Sequence, residues 1–171
     1  MPKEANSGNS VPLYLFHQGT NSKAYEYMGL RKSTEKDRPG MTCRVWAPNA
    51  KAVSLVGDFN GWEEEQYPLE RISEGGVWEA YFPFELEQYS IYKFCITKQD
   101  GETVLKSDPY AFHFETRPRN SSLYCDIEGF QWNDAAWYRR TAANPNYTQP
   151  VNIYEVHAGS WRRYADGNVF S

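Results

Sequence analysis

The sequence predicts an all-β fold, an immunoglobulin-like β-sandwich of five or six short strands. Three observations carry that expectation. From residue 41 to 127, short apolar runs alternate with turn signals at roughly 8–15 residue spacing, the rhythm of a sandwich. Within the runs, side chains alternate: across 91–96, Tyr92, Phe94 and Ile96 fall on one face and Ile91, Lys93 and Cys95 on the other. The core-forming residues are mainly aromatic, with 28 Tyr, Phe and Trp against 22 Leu, Ile and Val in 171 residues. Each large ring can bury roughly 150–250 Å², enough to build a core from few residues.

Taken in order, residues 1 to 12 read as a polar, mobile start. Residues 13–19 are apolar, and 23–30 suit either a helical turn or a strand. Residues 31–40 read as a charged loop ending in a Pro-Gly turn signal. The β rhythm then begins with 41–48, a turn at 49–51 and a second run at 52–59. Asn60-Gly61 is the strongest short hairpin-type turn signal in the chain, and Trp62 follows it at once. After a polar stretch come apolar runs at 76–84 and 90–98, a turn at 99–101, a run at 102–112, a loop at 117–122 and a last run at 123–127. Residues 129–150 read as a linker with one short helix around 134–140, Asp134 being its N-cap. Residues 151–161 read as a buried strand followed by a loop.

Composition and charge exclude several classes. No apolar run approaches the roughly 20 residues a membrane helix needs, and the first ten residues lack the apolar region of a secretory signal. A net charge of −4 without a Lys/Arg cluster argues against a nucleic-acid partner. Cys43, Cys95 and Cys125 are dispersed, odd in number and form no CxxC pair, so they read as reduced thiols of a cytoplasmic protein. With only three dispersed histidines, no metal ligand set is present and no cofactor is expected.

At this level of detail the motifs resemble a known family. RVWAPNAKAVSLVGDFNGW (44–62), GVWEAYFPF, YKF (92–94) and KSDPYAFHFETRP (106–118) are similar to the glycogen-binding sandwich of carbohydrate-binding module family 48. The flanks LYLFHQGTNSKAYEYMGL (13–30) and NIYEVHAGSWRR (152–163) resemble the leader and the first barrel strand of bacterial glycogen branching enzymes, within glycoside hydrolase family 13. The resemblance implies a leader over 1–30, the module over 31–128, the linker over 129–150, and the first strand and loop of a (β/α)₈ barrel over 151–171. It implies α-1,4-glucan and the catalytic barrel of the same enzyme as partners. The family's chemistry is retaining glycosyl transfer by a pair of carboxylates. Their motifs do not occur here, and a barrel needs roughly 250 residues, so no catalytic residue is assigned and the chain is expected to be inactive alone.

The resemblance also implies site residues. Trp62 matches the tryptophan that stacks on a glucose ring; otherwise it packs over the sandwich edge. Lys93 matches the lysine of the binding-site strand, its ammonium offering three donors to sugar hydroxyls, or else it is a solvated strand lysine. Asn120 lies near a hydroxyl-binding asparagine of the last loop, or is a plain turn residue. The second stacking tryptophan of the regulatory modules has no counterpart, since Glu102-Thr103-Val104 follow Asp100-Gly101. Asp58, Asn60 and Asp108 read as turn formers, and Trp46, Trp78, Phe82 and Phe94 as core or sheet-face packing. Three functions stay open: the N-terminal part of a branching enzyme, a stand-alone glucan-binding module, or a structural brace.

Overall fold

The computed structural model describes residues 10–35, 38–143 and 150–168. They fall into two compact units, 1–128 and 129–171. The first unit is a sandwich of two antiparallel sheets. One sheet has the order β1-β2-β5-β4, from Gly29–Glu35, Arg38–Trp46, Val77–Phe82 and Glu70–Arg71. The other has the order β3-β6-β9-β8, from Ala52–Gly57, Ile91–Thr97, Ser122–Leu123 and His113–Phe114, with β7 (Thr103–Lys106) also pairing β6. The nine strands of the described residues exceed the expected five or six because β4 and β8 are two-residue strands that leave no alternation to read and β1 falls largely in a stretch read as a loop.

Registers and burial agree on which faces look inward. Met41, Cys43 and Val45 of β2 lie opposite Phe82, Ala80 and Trp78 of β5, and Leu55 of β3 lies opposite Phe94 of β6. These side chains, with Leu30, Val53, Leu69 and Tyr92, form the core between the sheets. Its aromatic end is a ring cluster in which Tyr67 meets Phe82 at 5.3 Å and Phe84 at 5.1 Å between centroids. The alternation read for β6 holds, with Tyr92 and Phe94 buried and Lys93 half-buried on the opposite face.

Two expectations for the leader are corrected. Helix α1 (Ser10–His17) begins inside the stretch read as polar and mobile, whereas residues 1–9 lie outside the described residues. The segment read as a charged loop at 31–40 is instead largely strand, because β1 and β2 form a hairpin in register from Gly29↔Arg44 to Glu35↔Arg38. Tertiary pairing overrides the low strand propensity of its charged residues there. Helix α2 (Ala24–Tyr27) and α1 cover part of that sheet's outer face, where Leu13, Phe16, Tyr27, Met28 and Val77 make a second apolar cluster.

In the second unit, α3 spans Ala135–Ala143, with Asp134 directly before it accepting from the Tyr138 backbone N–H at 3.1 Å. That matches the short helix read from sequence. The buried strand expected at 151–161 is not found. Residues 151–157 make no ladder and are exposed, Ile153 and Tyr154 to 87% and 89%, and 158–161 form the helical turn α4 (Ala158–Trp161). A strand needs a partner for its N–H and C=O groups, and none of the described residues provides one.

Candidate functional site

Strand β3 ends at Gly57 and runs into a 3₁₀ turn, Asp58–Asn60. Gly61 and Trp62 then both adopt the left-handed region, with φ of 61° and 66°. Glycine enters it at little cost, whereas a residue with a Cβ is disfavoured by roughly 1–2 kcal/mol. Hydrogen bonds compensate. The Trp62 N–H donates to Gly57 O at 3.0 Å and to Asn60 Oδ1 at 3.2 Å. Asn60 Oδ1 also accepts from the Gly57 N–H at 2.9 Å, and Asn60 Nδ2 donates to Glu63 O at 2.8 Å, so Asn60 is the turn former it was read as. Asp58 has a further task that its turn signal did not reveal: its Oδ1 accepts from Trp62 Nε1 at 2.8 Å and sets the tilt of the indole.

Lys93 of β6 and Asn120 of the loop before β9 come together. Along one edge of β6, Ile91 and Tyr92 pair with β9, while Phe94 to Thr97 pair with β7. Lys93 sits where the partner strand changes, and Val56 of β3 lies across its other edge, beside the Gly57 that holds Trp62. At that junction Lys93 Nζ donates to Asn120 Oδ1 at 2.6 Å. Asn120 is held from both sides. Its carbonyl accepts from Ser107 Oγ, and the loop before it, with a cis Arg117–Pro118 bond, is closed by Glu115, whose carboxylate accepts from the Ser121 N–H at 3.1 Å. The Ser121 side chain, with its backbone N–H and the nearby Arg119, holds the Glu115 carboxyl below the ordinary carboxylate range. A shallow depression lined by Ser107, Phe114, Glu115 and Arg119 adjoins Asn120.

Beneath this junction lies Asp108, which forms the expected turn, its Oδ1 accepting from the Tyr110 N–H and its carbonyl from the Ala111 N–H, and is also wholly buried. Its Oδ2 accepts from Tyr92 Oη at 2.8 Å and from the Leu30 N–H at 3.2 Å, and its Oδ1 accepts from the Tyr110 N–H at 2.8 Å. Its own N–H donates to Ser122 Oγ at 2.8 Å. The Asp108 carboxylate thus ties β1 to β6, and its backbone N–H adds β9, under the Lys93–Asn120 pair. Desolvation by burial pushes its pKa up, partly offset by these bonds.

An indole fixed at its N–H in the turn after β3, an ammonium on β6 and an amide in the loop before β9 suit a flat ring bearing many hydroxyls: the indole takes an apolar face and the polar groups take the rim. Residues 27–111 match the model of carbohydrate-binding module 48 (isoamylase N-terminal domain). This stretch of the chain belongs to that family. The module and its flanks are 43% identical over 161 residues to the 1,4-alpha-glucan branching enzyme GlgB of Geobacillus stearothermophilus, covering 94% of this chain and 25% of that enzyme. They are 41% identical over 156 residues to the GlgB of Bacillus mycoides, covering 91% and 24%. The chain thus spans about a quarter of the length of the curated relatives it matches, in their N-terminal part. Among solved structures, apo pullulanase from Klebsiella pneumoniae overlaps 63% of this chain and 12% of its own, at 27% identity and a TM-score of 0.47.

Of the residues assigned to packing in the module, Trp78, Phe82 and Phe94 are buried, but Trp46 is 56% exposed. Its position on β2 is opposite Val77, on the outer face of its sheet, which the leader helices cover only in part. Asp58 and Asp108 are the two residues of the module whose parts the sequence reading missed. For Asp58 a signal exists in its four-residue spacing from Trp62. For Asp108 only the turn with Tyr110 is local, and its partners on β9, β6 and β1 lie 14, 16 and 78 residues away.

Proposed function

We propose that this chain is the α-1,4-glucan-binding N-terminal region of a cytoplasmic glycogen branching enzyme, with Trp62, Lys93 and Asn120 as the glucan contact. The observation that carries the site is the Lys93–Asn120 hydrogen bond beside the turn that presents Trp62. A pyranose turns a patch of C–H groups to the indole while its hydroxyls meet the ammonium and the amide. The reading of the whole is supported by the branching enzymes this chain matches along more than nine tenths of its length. In the complete enzyme the module docks on the catalytic barrel, and residues 152–163 gain the neighbouring strands that make them its first strand. The chain alone has no transferase activity.

Affinity electrophoresis through glycogen gels tests the site. The wild-type chain is retarded, and Trp62→Ala is retarded far less while its unfolding midpoint stays close to wild type. Equal retardation of the two proteins removes Trp62 from the site. The stand-alone module is the second reading, and the similarity of residues beyond the sandwich to branching enzymes counts against it.

A further inference from the structure

The first unit holds three tryptophans, and their indole N–H groups are all anchored on oxygen. Trp78 is buried, with Nε1 donating to Ala47 O at 2.9 Å, as a core tryptophan should be. Trp62 and Trp46 are different, because Trp62 is half-buried and Trp46 exposed while each Nε1 is held at 2.8 Å, by Asp58 Oδ1 and by Gly75 O respectively. Trp46 is 56% exposed, and its one ring neighbour is Phe16 of α1, edge-on at 6.3 Å. A ring that is both exposed and fixed in orientation has little rotamer freedom left to lose on binding.

Polar groups frame it. His17, at the end of α1, shares a hydrogen bond of 3.0 Å between Nε2 and Ser73 Oγ, and Ser73 Oγ also accepts from the Val77 N–H at 3.0 Å. Arg71 donates to Ser73 O at 3.2 Å and to Glu74 O at 2.9 Å, which stiffens the loop that supplies the Gly75 carbonyl. Arg71, Ser73 and Glu74 line a shallow depression there. Gly75 is required by contact rather than by φ: a Cβ on it would lie 2.3 Å from His17 Cε1.

We propose that Trp46 is the platform of a second α-glucan contact, on the sheet opposite the Lys93–Asn120 face and framed by His17, Ser73 and Glu74. The proposal rests on the reading that this chain binds α-glucan. The ligand class follows from the construction: an apolar plate anchored on a loop that carries the Ser73 hydroxyl and Glu74 and meets the His17 imidazole, the chemistry of a neutral polyhydroxylated ring. Two platforms on opposite sheets engage two separate glucan chains, so a branched polymer gains from both at once whereas a short oligosaccharide fills them independently.

Calorimetric titration with maltoheptaose, together with glycogen-gel electrophoresis, tests this on the full chain. The expected result is two sites per wild-type chain and one in either Trp46→Ala or Trp62→Ala. Glycogen affinity falls at least about tenfold in each single variant, since a stacked ring and the lost second contact each weaken it by that order. Gly75→Ala, which keeps the indole and displaces His17, weakens the second site alone and serves where Trp46→Ala lowers the folded fraction. A wild-type chain that binds no glucan overturns the glucan reading itself. Two sites remaining in both Trp46→Ala and Gly75→Ala overturn only the second platform. Trp46→Ala that keeps both sites but abolishes self-association in sedimentation assigns this face to a second copy of the chain instead.

Discussion

Lys93 Nζ lies 2.6 Å from Asn120 Oδ1, across a junction where β6 exchanges one edge partner for another. Two residues 27 apart in sequence thus act as one polar unit. Removing either partner leaves the other without its orienting contact, so their effects on glucan binding should not add. Lys93→Met and Asn120→Ala are each expected to weaken binding about three- to tenfold, the scale of a hydrogen bond to a charged group. The double variant should be little worse than either. Titration of all four proteins closes the cycle, and strictly additive losses would show that the pair does not act together.

Asp58 orients the indole without itself being part of the stacking surface. Asp58→Ala leaves Trp62 in place but lets its ring rotate, so glucan affinity should fall about three- to tenfold through lost pre-organisation. Stability should change by less than about 1 kcal/mol, the usual scale for an exposed hydrogen bond. Binding titration beside urea unfolding separates the two effects, and an affinity equal to wild type would show that Trp62 needs no anchor.

The buried Asp108 sets a pH dependence of definite sign. Burial raises its pKa in the native state above the ordinary value of 3.8. Between that value and the raised one, the native protein binds more protons than the unfolded chain. The stability contributed by Asp108 is therefore fully present below this window and declines as pH rises through it. Asp108→Asn removes the titration, so its stability relative to wild type should improve from pH 4 to pH 7. Chemical denaturation at several pH values measures this, and a gap constant with pH would contradict it. At either pH, Tyr92→Phe should cost about 1–3 kcal/mol by removing one donor from the carboxylate.

Thiol reactivity should single out one cysteine. Burial pushes the Cys43 thiol well up and the Cys95 thiol to about 11, so neither offers much thiolate at neutral pH. Cys125 is only half-buried and sits 3.3 Å from Gln88 Nε2. Iodoacetamide at pH 8 should give one fast adduct per native chain, at Cys125, and three after denaturation. Peptide mass spectrometry locates it, and a fast adduct at Cys43 would mean that the core opens readily.

Limited proteolysis should cut first within residues 150–168. Across 151–157 every residue is exposed and none is held in a ladder, whereas the sandwich backbone is paired. The expected early product retains the sandwich intact. A first cut inside β2 or β6 would reverse the assigned order of local stability.

How much was legible in the sequence differs between residues. The alternation of β6 identifies Phe94 as core and Lys93 as outward-facing from adjacent letters alone. Asn60-Gly61 marks the turn that presents Trp62, since turn chemistry is local. The β1–β2 hairpin was not legible, because the residues of β1 form a strand only through pairing with residues up to 15 positions on. At 151–161 an apolar pattern suggests a strand and loop, yet the described residues supply no ladder for it, and apolarity without a partner does not make one.

The all-β class, the aromatic core and the family of the module follow from the order of residues alone, because periodicity, turn residues and motif strings are local properties. That Lys93 meets Asn120, that Asp108 is a buried tie among three strands, and that Trp46 stands open while Trp78 is closed emerge only in the folded chain. Each of these depends on strand order and register, and on which outer face the leader helices cover. Those are set by the packing of distant segments, and no run of neighbouring residues encodes them.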